Sequence, residues 1–115
     1  MSTIKERMEA IYAARQKMFE ETQDEWDYGI QKIVDEEIDI LCEDMNETVR
    51  YLNEECTAEG FVWISEVMED VAERTQSLEL VESLYKLAEK YPEVTKEYNI
   101  MSFVEGSKGV LKQLW

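Results

Sequence analysis

The sequence predicts an all-α fold: a single domain over 1–115, built as one irregular bundle of five to six helices stacked as helical hairpins. Two observations carry this. Apolar residues recur every three or four positions in each long stretch, and no stretch alternates with period two. One proline and four glycines leave room for long uninterrupted helices. A chain of 115 residues buries roughly two-thirds of its unfolded surface, enough for a core without disulfide or metal staples.

The stretch 61–91 organises the rest. It reads as two helices joined at Arg74-Thr75-Gln76. Trp63, Ile64, Val67, Met68 and Val71 share one face of the first, and Glu66, Glu69, Asp70 and Glu73 share the opposite face at i, i+3, i+4 and i+7. Like-charged neighbours on a helix cost roughly 0.2–0.5 kcal/mol per pair. Four acids in line with no base among them therefore require an explanation. Ser77 caps the second helix, and Glu79 sits in its first turn, where the positive end of the helix dipole favours an acid. Leu80, Val81, Leu84, Leu87, Ala88 and Tyr91 form its apolar face, and Pro92 marks its end.

From the N-terminus, Thr3 and Glu6 form a capping box that opens a helix over about 2–21. Met8, Ile11, Tyr12, Met18 and Phe19 make its apolar line. Arg15 falls on that line and is expected at the core's edge with its head in water; pairing with an inward acid is the alternative. A second box, Thr22 to Glu25, opens a helix running to about Glu43, with Trp26, Ile30, Ile33, Val34, Ile38 and Leu41 inward. Gly29 costs that helix up to about 1 kcal/mol unless a close crossing needs it. Glu36, Asp39 and Glu43 repeat the outward acid line. A shorter helix follows over about 46–55, capped by Asp44 or Asn46, with Val49 and Leu52 pointing in. A break at 57–60 precedes the central unit. After Pro92 come a short turn at 93–98, for which a turn of helix is the alternative, and a helix capped by Asn99, which 106–109 interrupts. Val110, Leu111, Leu114 and Trp115 form a tail folded back on the body. Trp26 and Trp63 read as core; Tyr28 and Tyr51 fit core or partner anchor equally.

The net charge is −15, and it is uneven. Residues 18–73 hold 19 acids against Lys32 and Arg50, while the remainder holds 8 acids and 10 bases. Solubility needs a net charge of only about 2–8 in a small domain. Such a block repels nucleic acid and anionic membranes, so neither is expected as a direct ligand. It suits a basic partner, or mimicry of an acidic polymer; a merely solvated surface is the plain alternative. No apolar run approaches the ~20 residues that span a bilayer, and the start lacks a signal-peptide core, so a cytoplasmic protein is expected. Cys42 and Cys56 are expected as buried free thiols.

Nothing points to catalysis. The absence of histidine removes Ser-His-Asp and Cys-His chemistry and His-ligated zinc. Paired carboxylates need one member in an apolar pocket, and the inward positions are nearly all apolar, so none is supplied. Asp44, Asn46, Thr48 and Glu55 fall at positions 1, 3, 5 and 12 of a calcium loop, but Val49 stands where the loop needs glycine. The segment 106–109 lacks phosphate-loop spacing. No metal or cofactor is expected.

The stretch Trp63-Ile-Ser-Glu-Val-Met-Glu-Asp-Val-Ala-Glu-Arg-Thr-Gln-Ser, with Leu84-Tyr-Lys-Leu-Ala-Glu-Lys-Tyr-Pro92, resembles small helical immunity proteins of bacterial polymorphic and contact-dependent toxin systems. The resemblance implies a cytoplasmic protein that binds and blocks a cognate toxin domain, often a basic nuclease. It assigns no individual binding residue. The acidic block agrees with it, and the expected partner face is Glu36, Asp39, Glu43, Glu66, Glu69, Asp70 and Glu73. Two other classes fit the same charge and fold: a phage-type nucleic-acid mimic that inhibits a defence enzyme, and a homo-oligomeric helical scaffold. The oligomeric state is left open.

Overall fold

Residues 3–22 and 28–112 are described by the computed structural model. They form eight helices and no strand: α1 (Ile4–Thr22), α2 (Tyr28–Glu43), α3 (Met45–Glu54), α4 (Ala58–Ser65), α5 (Met68–Thr75), α6 (Leu78–Lys90), α7 (Pro92–Glu97) and α8 (Ile100–Gly109). The all-α class holds, with eight helices where five or six were expected. The radius of gyration is 13.7 Å, close to the ~13 Å of a compact chain this long.

The helix ends follow local chemistry. Glu6 N–H donates to Thr3 Oγ1 at 3.1 Å while Thr3 N–H reaches Glu6 Oε1 at 3.4 Å, the reciprocal pair of a capping box. Asp44 caps α3 by accepting from Glu47 N–H, Thr57 caps α4 by accepting from Gly60 N–H, and Ser77 caps α6 by accepting from Leu80 N–H. Pro92 opens α7, where its missing N–H is no loss. Asn99 takes the left-handed conformation before α8, with no side-chain cap bond. The box at Thr22 to Glu25 reaches outside the described residues, as do Trp26, Leu114 and Trp115.

The extra helices have two sources. The turn after Pro92 is the regular helix α7. More consequentially, the helix expected to run on from Phe61 breaks at Glu66 and Val67. Ser65 Oγ donates to the Val62 carbonyl, competing with the backbone ladder, and Val67 N–H closes on Ile64 at i−3. Glu66 therefore lies outside the helix that carries Glu69, Asp70 and Glu73. Conversely, 106–109 does not interrupt α8, which runs through it.

Neighbour packing runs α1 on α2, α2 on α5, α5 on α8, α8 on α6, α6 on α3 and α3 back on α1. Inside this circuit α4 touches α1, α5, α7 and α8. It carries the most apolar stretch of the chain, and Phe61 and Ile64 on it are buried. Met8, Leu41, Leu52, Met68, Val71, Leu84, Ile100 and Val104 complete the core from the surrounding helices. At Gly106 on α8 a Cβ would meet the end of the exposed Glu69 side chain of α5, which would have to move aside. No described helix is long and apolar enough to cross a membrane.

Gln76 locks the C-terminal end. It sits at φ 52°, the left-handed turn ending α5. Its amide donates to the Glu73 and Val110 carbonyls at 2.9 and 3.0 Å, and its oxygen accepts from Lys112 N–H at 2.8 Å. Gln76→Ala should cost about 1–2 kcal/mol in urea unfolding, the scale of a small hydrogen-bond set. Gln76→Gly should cost less, because glycine relieves the positive φ.

Candidate functional site

The seven acids expected to form a partner face do not share one environment. Glu43 pairs with Arg7 at 2.7 Å, joining α2 to α1. Asp39 pairs with Arg74 at 2.8 Å, joining α2 to α5. Glu66 pairs with Arg15 at 2.5 Å, joining the α4–α5 break to α1. These three are paired with the chain's own arginines while their side chains stay largely exposed. Glu36 on α2 and Glu69, Asp70 and Glu73 on α5 are exposed, with no basic partner among the described residues. Because α2 and α5 pack together, these four lie on adjoining helices. Part of the acid line also has a local cause: Glu69 and Asp70 occupy the first turn of α5, where an acid gains about 0.3–1 kcal/mol from the helix dipole.

Arg15 corrects the sequence reading most sharply. Its side chain is only 8% exposed, with its head turned inward. It stands between Glu66 and Glu37 on α2, and its guanidinium lies over the Trp63 ring, 5.1 Å from the centroid. Glu37 is fully buried, a carboxyl the sequence reading did not find. Arg15 Nη1 is 3.6 Å from Glu37 Oε1, too long for a hydrogen bond, and both Glu37 oxygens lack one. Burial pushes this carboxyl up to about 8; the Arg15 charge opposes the shift and Glu66 adds to it. Glu37 is therefore held neutral around pH 7, and Glu66 carries the counter-charge to Arg15. The signal was present: Ile30, Val34, Glu37 and Leu41 form one i, i+4, i+7, i+11 stripe.

Above this cluster opens a cleft of about 730 Å³ between α1, α2, α4 and the α7–α8 junction. Arg15, Ile30, Val34, Trp63 and Glu66 line it, with Phe19, Tyr98 and Phe103 around them. Phe19, expected in the apolar line of α1, is 49% exposed here, and Tyr98 and Phe103 are 52% and 37% exposed. Trp63, expected in the core, is only half-buried and faces this cleft. Glu37 is not part of the lining. Sequence spacing could not reveal the cleft, because its aromatic residues come from three separated segments.

Two other expectations resolve. Tyr51 is buried, its hydroxyl 2.8 Å from that of Tyr12, so it serves the core and not a partner surface. The Tyr28 side chain lies outside the described residues. Both cysteines are free; Cys56 is buried and Cys42 only half-buried, against the expectation that both would be buried. Burial pushes the Cys56 thiol up to about 12. The calcium-loop positions are otherwise engaged: Asp44 caps α3, Thr48 donates to the Leu41 carbonyl, and Glu55 pairs with Arg50. No cluster of metal-ligating side chains occurs among the described residues.

Comparison of the chain with protein-family models, with curated proteins and with solved structures gives no match.

Glu37 should make stability fall with rising pH. Its pKa is raised on folding, so the folded state holds the proton more tightly; that stabilisation is complete below about 4.5 and fades as pH climbs through about 8. The thermal midpoint should therefore drop between about pH 5 and about pH 9, and Glu37→Gln should flatten the slope. Cys56 should resist a thiol reagent at mildly alkaline pH until denaturant is added, then react at once.

Proposed function

We propose that this chain is a non-catalytic inhibitor that binds another protein: an immunity protein, acting in the cytoplasm, that neutralises a basic toxin domain. One observation carries the reading. Glu36, Glu69, Asp70 and Glu73 are exposed on adjoining helices without basic partners among the described residues, while each of the four arginines is engaged by an acid of its own chain. These four carboxylates are open to an outside cation.

The mechanism is occlusion. A toxin domain that handles nucleic acid presents lysines and arginines along its substrate groove, and the α2 and α5 carboxylates offer that groove a competing anionic surface. Complementary charge would raise the encounter rate toward ~10⁸–10⁹ M⁻¹s⁻¹ at low salt. Salt should slow it, since exposed charges are screened beyond about 8 Å at physiological ionic strength. Glu37, the one carboxyl with a raised pKa among the described residues, is buried and not part of the aromatic cleft's lining. Its neutrality serves the packing around Arg15.

The test is affinity capture from the source cell with the purified chain as bait. A basic toxin domain should be recovered and its activity blocked at one-to-one stoichiometry. Replacing Glu36, Glu69, Asp70 and Glu73 with lysine should abolish capture while circular dichroism remains helical. Undiminished capture by that variant would remove the acid-face mechanism. Recovery of a nucleic-acid-binding defence enzyme instead would move the assignment to mimicry, and a large self-assembly on size exclusion would move it to a scaffold.

A further inference from the structure

Arg15 stands between two carboxyls with one positive charge to give. Its Nη2 is 2.5 Å from Glu66 Oε2, and its Nη1 is 3.6 Å from Glu37 Oε1, so each limb of the fork points at a different acid. The two acids sit in unequal surroundings. Glu66 is 47% exposed, whereas Glu37 is fully buried. Arg15 Nη1 and both Glu37 oxygens are buried without a hydrogen bond. Buried polar atoms are nearly always bonded, so the open contact between these two limbs is the exceptional feature of the cluster.

The neighbours of Glu37 leave Arg15 as the group that can answer its charge. From α1 come Arg15 and the Tyr12 hydroxyl, which lies within electrostatic reach of Glu37 but is bonded to the Tyr51 hydroxyl of α3. From the α4–α5 break comes Glu66, whose charge repels an anion at Glu37. From α5 the buried side chains are Met68, Val71 and Ala72, and its Arg74 holds Asp39 of α2. Arg15 and Glu66 are the charged groups of the described residues that act on Glu37.

Relative cost decides where the guanidinium goes once Glu37 loses its proton to solvent. A half-exposed carboxylate that loses its arginine is hydrated, at little cost. A buried carboxylate without a counter-charge is among the costliest features a core can hold. The distance to close is short, from 3.6 Å to the about 2.8 Å of a charge-assisted hydrogen bond. That movement takes the guanidinium away from Glu66 and shifts it over the Trp63 ring.

We propose that Arg15 is a two-position latch: with Glu37 protonated it holds Glu66, and with Glu37 ionised it turns inward to Glu37 and releases Glu66 to water, just ahead of the exposed acids Glu69 and Asp70. Rising pH thereby adds a carboxylate to the free acid surface, whatever partner that surface meets.

The test is an NMR titration of the full-length chain from about pH 5 to about pH 10, following the glutamate carboxyl carbons and the nitrogens of the arginine guanidinium and tryptophan indole. The Glu37 carboxyl should titrate at about 8. The Arg15, Glu66 and Trp63 resonances should step at that same midpoint, while the backbone amides of α6 and α8 stay fixed. All three steps should vanish in Glu37→Gln. In Glu66→Gln the competing carboxylate is gone, so the Glu37 midpoint should fall by about one pH unit. A Glu37 that titrates while Arg15 and Glu66 stay still overturns the latch, as does one that keeps its proton to the alkaline end or a midpoint indifferent to Glu66→Gln. Steps shared by the α6 amides report unfolding and overturn it too. If either variant folds poorly, coincident midpoints against fixed α6 amides in the unaltered chain decide the matter.

Discussion

The buried guanidinium of Arg15 is the constraint around which this small bundle is arranged. Taking an arginine out of water costs several kcal/mol unless its charge is met. Here three elements meet it: Glu66 supplies the negative charge, Trp63 its ring face, and Glu37 a carboxyl that burial keeps neutral. A neutral Glu37 spares the interior a buried anion. Glu66 reaches Arg15 from the break between α4 and α5, where the chain turns out of helical geometry. One ionic contact thus ties α1 to the middle of the chain and sets the floor of the aromatic cleft.

The remaining arginines follow the same economy. Arg7 joins α1 to α2, Arg74 joins α5 to α2, and Arg50 lies among Glu47, Glu54 and Glu55 near the end of α3. Of the lysines only Lys17 pairs with an acid among the described residues, so many carboxylates are left without a basic partner. Exposed pairs of this kind contribute little stability, typically under about 1 kcal/mol. Their larger effect is on pattern: they sort the acids into those with internal partners and those without, which residue counting alone cannot do.

Much of the fold was legible because it rests on local rules. Thr3, Asp44 and Ser77 each act at a helix start, and the apolar stripes of α2, α5 and α6 face inward as their spacing requires; Thr57, expected in a break, caps α4, and 58–60 are helical. The break at Glu66 was illegible because periodicity runs on through it; the Ser65 hydroxyl competes locally, but the contact with Arg15 comes from a distant helix. Glu37 was misread because its charge outweighed its position on an apolar stripe. The acid rows were seen correctly as sequence, but their division into paired and unpaired carboxylates depends on arginines up to 51 residues away. The cleft was invisible for the same reason, being assembled from side chains distant along the chain.

Gly106 links two surfaces that otherwise look separate. The Glu69 carboxylate occupies the volume that a side chain at Gly106 would fill, and Phe103, on the cleft, stands one helical turn earlier on α8. A side chain introduced at Gly106 would push that carboxylate off α8. The position of one acid of the row thus depends on a residue of the neighbouring helix that carries no side chain.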